Sequence, residues 1–152
     1  MGKETIKASI TGIIKPLSEV RDDAFSHGAL GKGVAIDPKE GKVVAPFDRT
    51  VMTLFPTKHA IGLVYDNGME ILIHIGLDTI QLEGKYFEAH IKQGDKVKQG
   101  QTLVTFDIKA IKKEGYILET PIIVTNSSDY LDFIETDKKS VKQNDELLTV
   151  LN

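Results

Sequence analysis

The most regular alternation of apolar and polar residues lies between residues 67 and 78, NGMEILIHIGLD. Successive side chains of a β-strand point to opposite faces, so a strand here presents two different sets of residues. One set is Ile71, Ile73 and Ile75, and the other is Glu70, Leu72 and His74. Residues 59–65 form a second apolar stretch, and Asn67-Gly68 between the two favours a tight hairpin turn. We therefore predict a β-hairpin whose isoleucines face a core and whose His74 faces outward.

The length of the turn decides which residues of the two strands share a face. A two-residue loop at Asn67-Gly68 pairs Ile61 with His74 and places His59 on the face of His74, roughly 7–8 Å away. A slip of one residue would put the two histidines on opposite faces. The two-residue loop assigns Ala60, Gly62 and Val64 to the core face. It assigns to the histidine face Ile61, Leu63 and Leu72, with Phe55 nearby. We predict two histidines that meet on one exposed face surrounded by apolar side chains.

The rest of the chain consists of short apolar stretches separated by turn residues, which is typical of an all-β protein. Strands are predicted at 8–17, 33–37, 42–46, 49–55, 100–106, 121–125 and 147–151. One short helix is predicted over 108–114, because Asp107 is a good N-cap and Gly115 a good stop. Residues 18–32 are predicted as a loop, and residues 1–7 as a flexible segment or cloning remnant. The prediction is one all-β domain over 8–152, an antiparallel β-sandwich or barrel-like fold.

Composition restricts the classes of function. The 152 residues are 41% hydrophobic and 27% charged, as in ordinary soluble domains. The net charge of −3 argues against binding to nucleic acid through phosphate contacts. The chain has no cysteine, which excludes disulfides and thiolate chemistry. No apolar run approaches the roughly 20 residues that span a bilayer, and no signal-peptide core is present. We expect a soluble, cytoplasmic protein.

The common catalytic motifs are absent from the sequence, which has no P-loop, no complete GxGxxG, no HExxH and no GxSxG. The polar residues that remain notable lie in or beside the hairpin: Thr57, His59, His74 and Asp78. A neutral imidazole is a nucleophile that can accept and pass on a phosphoryl group. A second histidine can donate to the phosphoryl oxygens, and Thr57 can fix the tautomer of His59. This chemistry needs no metal and no cofactor.

Five segments carry a resemblance to a known family: GKGVAIDPKEGKVVAPFD (31–48), LFPTKHAIGL (54–63), EILIHIGLDTIQLEGKYF (70–87), IKQGDKVKQGQTLVTFD (91–107) and TPIIVTN (120–126). They resemble the IIA domain of the glucose–sucrose–β-glucoside family of the bacterial sugar phosphotransferase system. FPTKHAIG and HIGLDTIQLEGK are more similar to the β-glucoside, sucrose or trehalose branch than to the free-standing glucose protein. The resemblance implies an antiparallel β-sandwich without cofactors.

The resemblance also implies a reaction and its residues. A member of this family takes a phosphoryl group from the carrier protein HPr and hands it to a cysteine of the cognate IIB domain. His74 matches the phosphorylated histidine, His59 the histidine that supports the phosphoryl group, and Thr57 the threonine bonded to it. Such a domain often forms part of a permease with IIB and IIC, so it is either cytoplasmic or tethered to the inner face of the plasma membrane.

Partner binding is implied for a further set of residues: Asp78, Asp22, Phe25, Phe55, Leu72 and Gly76. The two aspartates match acidic residues that meet basic residues of HPr, and the apolar members match a docking patch. Leu72 replaces a phenylalanine of some members, and Asp23 and Ala24 replace valines. These departures leave the chemistry intact and alter the patch.

Three other classes of function fit parts of the sequence. VVAPFD, HIGLD and GDKVKQGQ resemble lysostaphin-type zinc peptidases, but the HxH that completes their metal site occurs nowhere in the chain. VKQGQTLVTFDIKAI resembles a lipoyl or biotinyl hairpin with Lys109 as the modified lysine, although those domains are about half as long. A non-catalytic interaction module would use the same apolar face. A zinc ion shared by His59, His74 and a partner's carboxylate is also geometrically possible.

Overall fold

A computed structural model describes residues 2–152 and contains fourteen strands in that range. The strands are β1 (Lys3–Lys7), β2 (Gly12–Pro16), β3 (Lys32–Pro38), β4 (Lys42–Val44), β5 (Arg49–Leu54), β6 (Ala60–Val64), β7 (Glu70–His74), β8 (Phe87–Ala89), β9 (Lys96–Val97), β10 (Thr102–Phe106), β11 (Thr120–Val124), β12 (Asp132–Glu135), β13 (Ser140–Val141) and β14 (Glu146–Leu151). The α-helices are α1 (Asp23–Ser26) and α2 (Ile108–Lys113). Short 3-10 helices cover Leu17–Glu19, Thr79–Leu82 and Ser127–Asp129.

The strands form three open sheets, and every strand pairing within the described range is antiparallel. The largest sheet has the order β13-β2-β3-β11-β7-β6-β5-β9, and the two smaller ones have the orders β1-β14-β12 and β4-β10-β8. The predicted all-β antiparallel fold is confirmed. Apolar side chains from all three sheets share one core, which contains Ile6, Val43, Ile73, Leu103 and Val150 among others.

The centre of the large sheet is buried on both faces. Ile73 of β7 lies opposite Ile61 of β6 and Ile122 of β11, and all three side chains are fully buried in the main core. The opposite face carries a smaller apolar cluster, in which Ala35 and Ile123 pack with Val20, Phe25 and Leu77. We call the residues 17–31 the covering segment, because its Val20 and Phe25 cover this second face. His74 lies on this covered face at the end of β7.

Several predicted elements have different bounds in the structure. The helix predicted over 108–114 is confirmed as α2, and the Asp107 carboxylate accepts a hydrogen bond from the Ala110 amide at its N-terminus. The flexible segment predicted over residues 1–7 is wrong for Lys3–Lys7, since these residues pair with β14 as strand β1. Met1 lies outside the described residues. The loop predicted over 18–32 contains α1, whose N-cap is Asp22.

The predicted register of the central hairpin is wrong by one residue. The Tyr65 amide donates to the Met69 carbonyl and the Gly68 amide donates to the Tyr65 carbonyl, which gives a three-residue loop. Gly68 adopts a positive φ of 88°, whereas Asn67 does not adopt a positive φ. A two-residue type I′ turn needs positive φ at both positions, while a three-residue loop needs it only at the last. His74 therefore lies opposite Ala60, not Ile61.

This change of register exchanges the two faces of β6. Ile61 and Leu63 were predicted to lie on the exposed face with the histidines, but both are completely buried in the main core. Ala60 and Gly62 were predicted for the core face, but they lie opposite His74 and Leu72. The small residues of β6 thus leave space beside His74 on the covered face.

We expect a buried and an exposed isoleucine of the sheets to respond differently to truncation to alanine. Ile73→Ala removes a fully buried side chain between two buried neighbours, and should lower the free energy of unfolding by about 2–5 kcal/mol. Ile134→Ala is the matched control, because Ile134 is 53% exposed in β12, and its effect should stay below about 0.5 kcal/mol. Urea unfolding measures both values. Equal losses would contradict the assignment of Ile73 to the core.

Candidate functional site

The orientation of His74 is set by a hydrogen bond within its own loop. The Nδ1 atom of His74 lies 2.7 Å from the carbonyl oxygen of Gly76. A carbonyl oxygen can only accept a hydrogen bond, so Nδ1 carries the proton and donates it. In the neutral ring, Nε2 is then left with a free lone pair. The structure thus leaves Nε2 as the unprotonated nitrogen of the neutral His74 ring.

The carbonyl that selects this tautomer is held in place by a backbone that requires glycine. Gly76 has a φ of 79°, a conformation that side chains with a Cβ rarely adopt. A Cβ at this position would lie 2.7 Å from Thr79 Cγ2 and 3.0 Å from the Ile117 carbonyl oxygen. The next amide, that of Leu77, donates to the same Ile117 carbonyl at 2.9 Å. Gly76 was predicted as a partner-binding residue, and the structure shows it buried beside His74.

His59 reaches the site from a tight loop, not from the strand. The Lys58 amide donates to the Phe55 carbonyl at 2.7 Å, and Lys58 adopts a left-handed φ of 62°. The loop ends where β6 begins at Ala60, so strand alternation does not determine the direction of the His59 side chain. This is why the histidines meet although the register differs from the predicted one. The Thr57 hydroxyl lies 2.7 Å from His59 Nδ1, as a hydrogen bond between these groups requires.

The two imidazoles stand edge to face, and each is packed against a phenylalanine. The centroids of the His59 and His74 rings are 4.9 Å apart with an interplanar angle of 85°. The Phe25 ring lies 5.0 Å from that of His74, and the Phe55 ring lies 5.5 Å from that of His59. The predicted meeting of the histidines is confirmed. The prediction that this face is exposed is wrong for its central residues, because His59 is only 2% exposed and Phe25 only 4%.

Burial keeps both imidazoles neutral. Burial, together with the neighbouring His74, lowers the pKa of His59 to about 4. Burial also lowers the pKa of His74, although the hydrogen bond to Gly76 and the carboxylates of Asp22 and Asp78 act in the opposite direction. Near neutral pH the site therefore holds two uncharged rings, and the unprotonated nitrogen of His74 is Nε2.

The predicted site residues fall into three groups in the structure. His59 with Thr57 and His74 with Gly76 form two hydrogen-bonded pairs, which meet through the edge-to-face contact of the imidazoles. Phe25 and Phe55 pack on the two rings, and Leu72 lies on the same face of β7 as His74. Asp22 and Asp78 act on His74 through their charge and make no hydrogen bond with it in the described residues.

Glu119 was not predicted as a residue of interest. Its side chain is only 2% exposed and forms ion pairs with Lys15 and Arg21 at the back of the covering segment. The only local signal is a carboxylate between apolar residues in the run YILETPIIV, 116–124. Its partners are about a hundred positions away in sequence, at separations of 104 and 98.

Two other predicted features can be placed on the structure. Lys109 lies in α2, not at the tip of a hairpin where a lipoyl or biotinyl lysine is expected. Within residues 2–152, no group of three or more histidine, aspartate or glutamate side chains is arranged to hold a metal ion. In the same range, no helix combines the length and the apolar character needed to cross a membrane.

Comparison with known proteins gives consistent similarities. Residues 4–130 match the family model described as phosphoenolpyruvate-dependent sugar phosphotransferase system, EIIA 1. The PTS system beta-glucoside-specific EIIBCA component of Halalkalibacterium halodurans is 51% identical over 146 residues, which are 96% of this chain and 23% of that protein. The protein of the same description from Bacillus subtilis is 57% identical over 128 residues, which are 84% of this chain and 21% of that protein.

A solved structure is similar over nearly the whole chain. The glucose permease IIA from Mycoplasma capricolum superimposes with a TM-score of 0.88 and 38% sequence identity, covering 98% of this chain and 96% of that one. This nearly complete coverage contrasts with the curated EIIBCA relatives, of whose length this chain spans less than a quarter.

We expect His59 to titrate far below an ordinary histidine, with a pKa of about 4. In the unfolded chain the imidazole returns to the ordinary histidine pKa of about 6.5, so the unfolded state binds more protons between these two values. The free energy of unfolding should therefore fall as the pH decreases from about 6.5 towards 4. NMR titration of the His59 ring and urea unfolding at several pH values measure both effects. In the His59→Gln control this part of the pH dependence should disappear, whereas a His59 pKa near the ordinary value would contradict the prediction.

Substituting Gly76 should cost more than substituting another glycine with positive φ. Gly68→Ala is the matched control, because a Cβ at Gly68 would meet no atom within 4 Å. We expect Gly68→Ala to cost about 1–2 kcal/mol from its backbone conformation alone. Gly76→Ala should cost about 1–3 kcal/mol more, because its Cβ also collides with Thr79 and Ile117. Urea unfolding measures the difference, and 15N NMR of His74 reports whether Nδ1 loses its fixed proton. Equal costs would show that the loop is not crowded.

Proposed function

The chain belongs to the EIIA 1 family of the phosphoenolpyruvate-dependent sugar phosphotransferase system, and on this premise we propose that it carries a phosphoryl group on Nε2 of His74. The observation that carries the choice of atom is the hydrogen bond from His74 Nδ1 to the Gly76 carbonyl. It leaves Nε2 as the unprotonated nitrogen beside His59. The family assignment makes the chain a phosphotransferase component, as the resemblance implied.

We propose two transfers through this atom. The Nε2 lone pair attacks the phosphorus of the phosphohistidine on HPr, and the bond between that phosphorus and the HPr nitrogen breaks. The electron pair of the broken bond returns to the HPr imidazole. In the second transfer a thiolate of the IIB domain attacks the same phosphorus, and the electron pair of the His74 nitrogen–phosphorus bond returns to Nε2. Phosphoryl transfer of this kind depends mainly on alignment and on donors to the phosphoryl oxygens.

His59 is the proposed donor to those oxygens. With its pKa lowered to about 4, the ring is neutral and carries a single proton. If Nδ1 of His59 accepts a hydrogen bond from the Thr57 hydroxyl, the single ring proton of His59 lies on Nε2, where it can be donated to the phosphoryl group. Thr57 thus acts through the tautomer of His59, in the same way that Gly76 acts through the tautomer of His74.

The surroundings of the two rings suit docking to a protein. Phe55 is 37% exposed at the mouth of the site, and Ile80, which follows Asp78 closely, is 52% exposed. We propose that Phe55 and Leu72 contact the partner and that Asp22 and Asp78 meet its basic residues. Phe25 was expected in the same patch. Since it is buried against His74, we assign it to holding the ring in place.

The relatives suggest the wider setting. Both are described as beta-glucoside-specific EIIBCA components. We propose that β-glucosides are the transported sugars and that IIB and IIC, fused or separate, are the partners. The site then works at the cytoplasmic face of the membrane, with contact to the membrane only through the permease. No cofactor is needed, because the phosphoryl group moves directly between side chains.

Intact-mass analysis after incubation with enzyme I, HPr and phosphoenolpyruvate tests the proposal. We expect one acid-labile phosphoryl adduct on the parent chain and none on His74→Ala. His90→Ala is the matched control and should be phosphorylated like the parent, because His90 pairs with Thr105 in an exposed hydrogen bond outside the site. His59→Ala should accept the group but pass it to IIB about 10²–10³ times more slowly, the usual cost of removing one stabilising donor.

The outcome on the parent is decisive. If HPr phosphorylates another acceptor but leaves no adduct on this chain, the phosphocarrier function is refuted and the histidine pair becomes a binding site. An adduct that persists on His74→Ala would refute the choice of nucleophile.

A further inference from the structure

A buried carboxylate lies at the meeting point of three parts of the chain. The Glu119 side chain is 2% exposed and its Oε2 lies 2.5 Å from Lys15 Nζ and 3.4 Å from an Nη atom of Arg21. Its other oxygen accepts a hydrogen bond from the Arg21 backbone amide at 3.2 Å. Burial by itself raises the pKa of Glu119, but the bonds from Lys15 and Arg21 bring it below its ordinary value. The carboxylate is therefore charged and fully partnered.

On one side, Glu119 is bonded to the segment that covers His74. Arg21 belongs to the covering segment, residues 17–31, and directly precedes Asp22. Asp22 caps α1 by accepting from the Ala24 amide at 3.0 Å. The helix α1 carries Phe25, whose ring packs 5.0 Å from that of His74. Arg21 is thus connected to Asp22 and Phe25 by only four residues of continuous chain.

On the other side, the residues just before Glu119 contact the loop that fixes the His74 tautomer. Ile117, two residues before Glu119, accepts the Leu77 amide through its carbonyl. A methyl group of Leu118 lies 3.2 Å from the position where a Cβ of Gly76 would be. Glu119 therefore lies just before β11, next to the residues that pack against the Gly76 loop, and it also binds the covering segment.

We propose that Glu119 is a positioning residue, which holds the covering segment at a fixed distance from His74 so that Asp22 and Phe25 keep their places beside the ring. Its effect on phosphoryl transfer rests on the function proposed above, whereas its effect on the environment of His74 does not.

The composition of the link favours positioning over stabilisation. Removing two charges from water is expensive, so a buried ion pair often adds little to stability compared with apolar residues of the same size. The two cations remain partly hydrated, since the side chains of Lys15 and Arg21 are 34% and 64% exposed. What the carboxylate provides is direction, because it is bonded both to Lys15 of β2 and, through each of its oxygens, to Arg21 of the covering segment.

Three variants separate this role from general stability. Glu119→Leu keeps the volume and removes every bond to Lys15 and Arg21, both of which can turn into solvent. Glu119→Gln keeps one oxygen that can still accept the Arg21 amide. Asp66→Asn is the matched control, because it makes the same change from carboxylate to amide in the exposed ion pair with Arg49. Asp66 lies in the hairpin loop, at the opposite end of β7 from His74. Urea unfolding establishes that each variant is folded.

The first measurement is an NMR titration of His74, which does not depend on any transfer activity. Burial beneath the covering segment lowers the pKa of His74, while Asp22, Asp78 and the hydrogen bond to Gly76 raise it. Loosening the segment reduces the largest of these effects. We expect the His74 pKa to rise in Glu119→Leu, to rise less in Glu119→Gln, and to stay unchanged in Asp66→Asn.

The second measurement is the rate of phosphorylation by phospho-HPr. We expect KM for phospho-HPr to rise about tenfold in Glu119→Leu, corresponding to about 1.4 kcal/mol, with kcat within about twofold of the parent. Glu119→Gln should lie between Glu119→Leu and the parent. An unchanged His74 pKa and KM in a folded Glu119→Leu, or a loss confined to kcat, would overturn the proposal. If Glu119→Leu fails to fold, the same criteria apply to Glu119→Gln. If the parent itself accepts no phosphoryl group, the proposed function fails, and the titration still decides the role of Glu119.

Discussion

The site depends on one constraint, which is that a strand cannot present its residues to only one face. The isoleucines of β7, Ile71 and Ile73, point into the main core, so the alternating residues Leu72 and His74 point to the opposite face. Because the strand lies in the middle of the eight-stranded sheet, that second face also has to be covered. The covering segment supplies Phe25 for this purpose, and the histidine becomes half-buried. The environment of His74 is therefore a result of how the second face of the sheet is covered.

Burial on the covered face also determines the charge state of the site. An imidazole in water would be partly protonated near neutral pH, and a protonated ring has no lone pair to use. Burial lowers both pKa values, and for His59 the neighbouring His74 lowers the pKa further. The hydrogen bond that His74 Nδ1 donates to the Gly76 carbonyl then fixes the tautomer of His74, and the Thr57 hydroxyl is paired with Nδ1 of His59. Charge and tautomer are thus set by different parts of the structure, the first by packing and the second by the loops.

Much of this arrangement could be predicted from the sequence, because it depends on local patterns. The faces of β7 and the cap and stop of α2 follow from short-range signals. The proximity of the histidines was predicted from a register that is wrong, and it depends on the tight loop before β6. The register of the hairpin did not follow, because Asn67-Gly68 occurs both in two-residue and in three-residue loops. The packing of Phe25 on His74 and the ion pairs of Glu119 could not be predicted either. Both depend on contacts between residues far apart in sequence, for which a single sequence contains no pairing signal.

The tautomer of His74 is determined by a main-chain carbonyl, and this has a consequence for how the site can change by mutation. A side chain that orients a histidine can be exchanged for another, so the nitrogen it selects can be altered by one substitution. Every residue type has the same carbonyl, and at Gly76 the path of the main chain is crowded by Thr79, Ile117 and Leu118. Variation of side chains elsewhere in the site can change the packing around His74. Which nitrogen of its ring carries the proton, by contrast, is inherited with the fold itself.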